Sequence, residues 1–489
     1  MKSRQSWAEL FAFEVDRAAD APVFRQIYLQ LRSAILSGAL RPGMKLPSTR
    51  ELAVQLGVSR SAAVAAFEQL LAEGYASGRS GAGTFIASDL PEPFVSSHGR
   101  KPRPVSTARA VAPSRELGGF ADVTAQSDER PFNLGRTLVD ARTAELWRKL
   151  SARSLRSFGR QHLGYGDPSG LPDLRRSVCE YLRAARAVRC EPEQVVITAG
   201  TQQAIDLIIR VMQRPDRNVW IEDPGYALTR LALAAAGVKV CPVPVDQHGI
   251  DVAEGIRRAP KAGAVFITPS HQFPKGVALS MPRRLELLAW AREQGAWIIE
   301  DDYASEFRYG GRPLASLQGL DDAERVIYIG TLNKALFPGL RLGYAVLPPA
   351  LLRAFVTART LIDRQPSSLC QAVVTAFMDE GHFAAHIRRM REMYRGQRDV
   401  LVAALRRRLA DHVTVDAPDQ GMHLVAYTRR GPSDVAIKRA ALDHGVVVHA
   451  MSRLYVEAPA QSALMLGFSG YPRQLIAPAI ARLARAFER

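Results

Sequence analysis

The chain has 489 residues, enough for two to four domains of ordinary size, and its 47% apolar and 23% charged residues exclude wholesale disorder and a collagen-like fibre. No apolar stretch approaches the roughly 18 residues of a membrane span. The opening MKSRQSWAELFAFEVDRAAD lacks the apolar core and cleavage site of a secretory leader, and Cys179, Cys190, Cys241 and Cys370 show neither a disulfide framework nor zinc spacing. The expectation is a cytoplasmic multidomain protein with no metal site and no membrane contact. The formal net charge of +17 divides as +3 on residues 1–87, zero on 88–130 and +14 on 131–489. A basic surface attracts polyanions. Most of the excess lies in residues 131–489, and charge alone selects no function.

In chain order, FRQIYLQLRSAILS (24–37) predicts a helix with Ile27, Leu31 and Ile35 on one face, ended by Gly38. LPSTRELAVQLGV follows, with Ser48 and Glu51 at capping-box spacing. Gly57 makes a turn and Ser59 caps a second helix, RSAAVAAFEQLLAEG, whose expected buried stripe is Val64, Phe67 and Leu71. Two short helices around a Gly match the helix-turn-helix arrangement, in which the start of the second helix meets base edges in the major groove. YASGRSGAGTFIAS then reads as a hairpin, with Gly81 and Gly83 allowing close backbone approach to phosphate. An Arg at a helix start opposes the helix dipole, so Arg50 and Arg60 favour an external phosphate or base. PSTRELAVQLGVSRSAAVAAFEQLLAEGY followed by GAGTF resembles the winged-helix domain of GntR-type bacterial regulators, over residues 23–87. That resemblance implies DNA contacts from Ser48, Arg50, Ser59, Arg60, Ser61 and the wing at Gly81 and Gly83.

From Ser88 to Arg130 the pattern breaks. Pro91, Pro93, Pro102, Pro104 and Pro113 punctuate a stretch with few large apolar residues, which reads as an extended linker. The expected organisation is therefore a DNA-binding module at 1–87, a linker at 88–130 and a large domain at 131–489.

In the large domain VVIT (195–198), VWIED (219–223), AVFITP (264–269), WIIEDD (297–302), VIYIGT (326–331) and GYAVLP (343–348) alternate with helical runs. The fold class is α/β, a mainly parallel sheet wrapped by helices. Its sharpest signal is YIGTLNKALFPGLRLGY (328–344). A Lys just after a buried strand, in a desolvated pocket, suits a Schiff-base amine, and an Arg seven residues later suits a phosphate. IIEDDYASEF puts carboxylates at a strand C-terminus, where ligands bind in open α/β sheets. ITAGTQQAIDLII (197–209) opens a helix whose first amides form an anion site.

Together these motifs resemble fold-type I pyridoxal-phosphate enzymes of the aminotransferase class, over residues 131–489. The resemblance implies that Lys334 forms the imine with pyridoxal 5'-phosphate, that Asp301 pairs with the pyridine nitrogen and that Tyr303 reaches the ring hydroxyl. It further implies a phosphate cradle of Gly200, Thr201, Gln202, Thr331 and Arg341, with Tyr226 stacked on the ring. Tyr165 would reach a phosphate across a dimer interface, and His271 and Gln272 fill the loop near the ring hydroxyl.

Winged helix, linker and aminotransferase-like domain in one chain resemble the MocR subgroup of GntR regulators. This implies a head-to-tail homodimer that binds a double-stranded DNA operator and senses a small amine, an amino acid or pyridoxal 5'-phosphate itself. The competing reading is a working aminotransferase that carries a DNA-binding domain. Against it, ALMLGFSGY (463–471) places Met465 where amino-acid aminotransferases have a carboxylate-binding Arg, and Asn333 replaces the Ser common before the Lys. Leu228 stands where a GABA-sensing relative has an Arg.

Overall fold

A computed structural model describes residues 14–79, 81–90, 128–157, 159, 164–212, 217–311, 314–429, 431–457 and 460–488. The chain forms two compact units, Met1–Val111 and Ala112–Arg489. Most of the expected linker, residues 91–127, lies outside the described residues.

The first unit runs α1 (Val23–Leu36), α2 (Thr49–Leu56), α3 (Arg60–Ala72), β1 (Ala76–Arg79) and β2 (Gly83–Ile86). As expected, α1 buries Ile27, Leu31 and Ile35, and Tyr28 with them. The stripe on α3 differs from expectation. Ala63, Ala66, Phe67 and Leu70 are buried, whereas Leu71 is 39% exposed. Small alanines face inward because α1 and α2 both pack closely on α3, and the larger Leu71 is turned out. β1 and β2 pair antiparallel, Ala76 opposite Ile86 and Arg79 opposite Gly83, to make the wing.

The second unit is built on β3 (Val195–Thr198), β4 (Val219–Asp223), β5 (Val240–Asp246), β6 (Gly249–Ile250), β7 (Ala264–Ile267), β8 (Trp297–Asp302), β9 (Val326–Thr331) and β10 (Gly343–Val346). Their order across the sheet is β3-β10-β9-β8-β7-β4-β5-β6. The strands from β9 to β5 are parallel, but β10 runs antiparallel between β3 and β9. The sheet is thus mixed. The chain returns from β9 to β10 through a short loop, and a parallel neighbour would have needed a long crossover. β5 carries Pro242 and Pro244, which mask it as a strand in sequence; only the two-residue β6 lies outside it.

A second, antiparallel sheet follows, ordered β11-β12-β14-β13, from β11 (Val413–Val415), β12 (His423–Thr428), β13 (His449–Ala450) and β14 (Ala463–Gly467). The entry stretch, residues 128–139, is fastened onto its neighbourhood. The carbonyl of Pro131 accepts from Val447 at 3.0 Å, that of Phe132 from Gly467 at 2.8 Å, and the Leu138 amide donates to Ser469 at 3.1 Å. Helix Ala141–Arg156 then starts from Asp140, whose carboxylate accepts the Thr143 amide. Among the described residues no helix is long and apolar enough to cross a membrane.

Candidate functional site

In the winged unit the serines shape the helix starts. Ser48 Oγ accepts the Glu51 amide at 3.1 Å and the Glu51 carboxylate takes the Ser48 amide at 2.8 Å, which holds that carboxyl below the usual range. Ser59 Oγ accepts the Ala62 amide at 3.3 Å and lies 3.0 Å from Ser61 Oγ. Arg50 in the first turn of α2 and Arg60 at the start of α3 are exposed, and neither has an ion-pair partner among the described residues. In the wing, Gly81 has φ +73° and Gly83 φ +109°, conformations that favour glycine. A Cβ at Gly83 would fall 3.1 Å from Lys45 Cε. Lys45 and Arg79 were not anticipated. They converge on Phe85, with Nζ 5.9 Å and the guanidinium 4.8 Å from the ring centroid.

In the large unit Lys334 lies on the short helix Leu332–Ala335, directly after β9. Thr331 Oγ1 caps that helix by accepting the Asn333 amide at 3.1 Å, and Asn333 Oδ1 accepts the Leu342 amide at 2.9 Å, closing the loop between β9 and β10. Asn333 therefore has a structural task. Lys334 Nζ donates to the Gly135 carbonyl at 2.9 Å. Burial, helped by the cation of Arg341, lowers its amine from 10.5 to about 8. Gly135 has φ +73°, and a Cβ there would stand 2.5 Å from the amine. Nothing in the local sequence NLGRT marks this glycine, which lies 199 residues from its partner.

Arg341 is a non-glycine residue in the left-handed region, φ +53°, a conformation that persists where a site requires it. Its guanidinium nitrogens lie 3.8 and 3.9 Å from where a Cβ on Gly200 would be. Gly200 itself, φ +113°, has Asn333 Nδ2 at 2.9 Å from that same point. It leads into helix Thr201–Met212, whose first-turn amides have no intrahelical acceptor. Thr201 and Gln202 open that helix, the Arg341 guanidinium lies beside Gly200, and Thr331 ends the strand two places across the sheet.

Across the site, Asp301 Oδ1, the Tyr303 hydroxyl and Gln202 Oε1 are buried without a hydrogen-bond partner among the described residues. Burial first, and then the neighbouring Asp302, push Asp301 up to about 7. Strand alternation sends Asp302 the other way, onto Arg186 at 2.8 Å and the Tyr328 hydroxyl at 2.6 Å. Tyr226 meets Phe273 edge-on at 5.7 Å, and Phe273 meets Tyr303 at 6.2 Å. Glu222, whose carboxylate accepts the Thr268 hydroxyl at 2.6 Å, is pushed up to about 8 by burial; sequence reasoning missed it.

His271 is buried 5.9 Å from the Tyr303 ring. Burial and the adjacent His423 lower it to about 3, so it stays neutral. The Gln272 amide is fully engaged, donating to the Pro224 carbonyl after β4 at 2.8 Å and to the Phe273 carbonyl at 2.6 Å while accepting from Lys275 at 3.0 Å. Tyr165 stands apart, 82% exposed, with the Arg364 guanidinium 4.6 Å from its ring centroid.

Residues 132–483 match the aminotransferase class I and II family, and residues 24–86 match the gntR family of bacterial regulatory proteins. The chain is 40% identical to the "Probable rhizopine catabolism regulatory protein MocR" of Rhizobium meliloti, covering 97% of this chain and 95% of that protein. It is 30% identical to the pyridoxine biosynthesis transcriptional regulator PdxR of Corynebacterium glutamicum, covering 94% and 95%. The large unit is similar to the solved LysN, an α-aminoadipate aminotransferase of Thermus thermophilus. The TM-score is 0.70 at 29% identity, covering 77% of this chain and 97% of that one. These two regulators match along nearly their whole length, so the reading as a working aminotransferase is not favoured. The chain belongs to the MocR group of gntR-family transcriptional regulators, in which a winged-helix DNA-binding module is joined to a fold-type I aminotransferase domain.

Proposed function

We propose that this regulator holds pyridoxal 5'-phosphate at Lys334 and uses it to sense a small amine, an amino acid or the vitamer itself. The observation that carries the reading is the set of buried polar atoms left without partners, Asp301 Oδ1, the Tyr303 hydroxyl and Gln202 Oε1, around a lysine lowered to about 8. Buried polar groups in native proteins are ordinarily paired, and this set fits a phosphorylated pyridine aldehyde. The solved LysN relative holds N-(5'-phosphopyridoxyl)-L-leucine, which agrees. When bound, the cofactor supplies an aldehyde that condenses reversibly with amines and a ring that withdraws electrons.

The residues divide the work. Lys334 presents an amine that gives up its proton more readily than an ordinary lysine. Arg341, the Thr331 hydroxyl and the amides that follow Gly200 would hold the phosphate. Asp301 would keep a proton on the pyridine nitrogen, Tyr303 would bond the ring hydroxyl and Tyr226 would pack against the ring. His271 and Gln272 fix the wall behind them. Exposed Tyr165 is available to a partner subunit's phosphate in a head-to-tail homodimer. On the DNA side Arg50, Arg60 and the wing meet the operator, with Ser48, Ser59 and Ser61 setting the helix starts. The effector alters operator affinity only by its differential binding to two arrangements of the chain. The protein acts where its operator is, in the cytoplasm.

The test has two arms. Full-length protein incubated with the vitamer gains visible absorption, and Lys334→Ala loses it. Full-length protein retards DNA from upstream of its own gene, and Arg60→Ala weakens that retardation. Protein that stays colourless overturns the cofactor reading.

A further inference from the structure

We infer that Arg359, Asp363 and Gln203 are positioning residues for the cofactor's phosphate, a clamp that holds the turn Thr198–Gly200 from the outer edge of the sheet. The inference rests on the proposed cofactor lying with its phosphate at that turn.

The turn follows the end of β3, which is an edge strand of its sheet among the described residues. An edge strand leaves one row of backbone groups without a strand partner, so its end stays in place only if other groups take that row. Here two do. The Ile197 amide donates to the Ser169 carbonyl at 2.8 Å, and Arg359 Nη1 donates to the Ile197 carbonyl at 2.7 Å. Arg359 belongs to helix Pro349–Asp363, which packs on helix Thr201–Met212. Its side chain is fully buried, and its guanidinium lies 2.7 Å from Asp363 Oδ1. The second carboxylate oxygen, Asp363 Oδ2, accepts from Gln203 Nε2 at 2.8 Å. Gln203 Oε1 in turn accepts the Ala199 amide at 2.8 Å. The clamp thus grips the backbone at Ile197 and at Ala199, on either side of Thr198 and directly before Gly200.

The inner side of the turn is fixed by other means. A Cβ on Gly343 would stand 2.8 Å from Gly200 Cα, so β10 lies against it, and the Thr198 hydroxyl donates to the Gly200 carbonyl at 3.1 Å. Between β10 and the clamp, the amides that follow Gly200 keep one orientation. Hydrogen bonds to an anion are strong but directional, and a donor that swings aside loses them. Stability alone accounts poorly for the clamp. A buried guanidinium is stripped of water, and an ion pair seldom repays that loss. Arg359 Nη2 is also buried with no hydrogen-bond partner among the described residues, a further cost. Apolar side chains would cover the strand edge without a buried charge, but they would neither grip the Ile197 carbonyl nor orient Gln203.

The experiment titrates cofactor-free full-length protein with pyridoxal 5'-phosphate and with pyridoxal, which lacks the phosphate. The visible band reports each. The ratio of the two half-saturating concentrations isolates the phosphate, whereas general damage to the fold weakens both. Gln203→Met, at a partly exposed position, and Arg359→Met are each expected to shrink the ratio by about tenfold or more, the worth of one charge-assisted hydrogen bond. Pyridoxal binding is expected to stay within about twofold. Asp206→Ala breaks the Arg210 pair on the same helix and is expected to leave the ratio unchanged. A ratio that survives in both clamp variants, or that falls as far in Asp206→Ala, overturns the inference while the band still supports the cofactor. An equal loss for both vitamers overturns it too, because it marks a structural role only. If Arg359→Met does not fold, Gln203→Met decides. Protein that gains no band with pyridoxal 5'-phosphate overturns both readings.

Discussion

Uptake of pyridoxal 5'-phosphate should follow the deprotonation of Lys334. Only the neutral amine attacks an aldehyde, and burial reinforced by Arg341 lowers this amine from 10.5 to about 8. At pH 7 about a tenth of it is then neutral, against roughly one part in 3,000 for an unshifted lysine, a gain of about 300-fold in reactive amine. The association rate should therefore climb roughly tenfold per unit up to about pH 8 and flatten beyond it. Arg341→Gln removes the lesser of the two causes, so the bend should move upward while staying below that of a free lysine. Stopped-flow absorbance on cofactor-free protein mixed with excess vitamer, from about pH 6 to pH 10, measures both. A rate that keeps rising past about pH 9 in the unmodified protein would refute the reasoning, because it reports a solvated amine. The same shift has a stability consequence. Between about 8 and 10.5 the unfolded chain holds the proton and the native chain does not, so Lys334's contribution to stability rises with pH across that window.

Other outcomes follow from the same geometry. Asp301 rises from 3.8 to about 7 on folding, so the native state holds the extra proton and its contribution to stability falls as pH climbs through that window. Asp301→Asn should stabilise cofactor-free protein at pH 8 by roughly 1–3 kcal/mol in urea titration, yet weaken vitamer binding; a loss of stability would contradict the account. Gly200→Ala combines φ +113° with an atom 2.9 Å from Asn333 Nδ2, and should cost about 1–3 kcal/mol and abolish the visible band. Ser48→Ala removes the capping box and should cost the winged unit about 1 kcal/mol in thermal unfolding. Arg60→Ala should leave that unfolding unchanged but lower the salt dependence of DNA binding by about one unit of slope.

Much of the site was legible in sequence because its parts sit at strand ends. β3, β4, β8 and β9 begin and end where their apolar runs do, and Asp301, Thr331 and Gly200 follow directly from those runs. What escaped was set by partners remote in the chain. Gly135 is defined by Lys334, and Gly421 by His271; neither has a local signature. The reversed direction of β10 could not be read from GYAVLP, since a strand buried on both faces shows no polarity. On α3 the pattern of alanines and leucines admits two adjacent stripes, and only the packing of α1 and α2 chooses between them. Cys179 and Cys190 looked unrelated at eleven residues apart, yet their sulfurs lie 3.4 Å from each other in the core.

The hydrogen bond from Lys334 to Gly135 joins two pieces of backbone that are fastened in different ways. On one side, Thr331, Gly343 and Thr198 stand in a single row across β9, β10 and β3, so the lysine is anchored to masonry. On the other, Gly135 belongs to the stretch 128–139, pinned near it by the carbonyls of Pro131 and Phe132 and the amide of Leu138. Withdrawing the lysine nitrogen from that carbonyl would remove one hydrogen bond from the stretch 128–139.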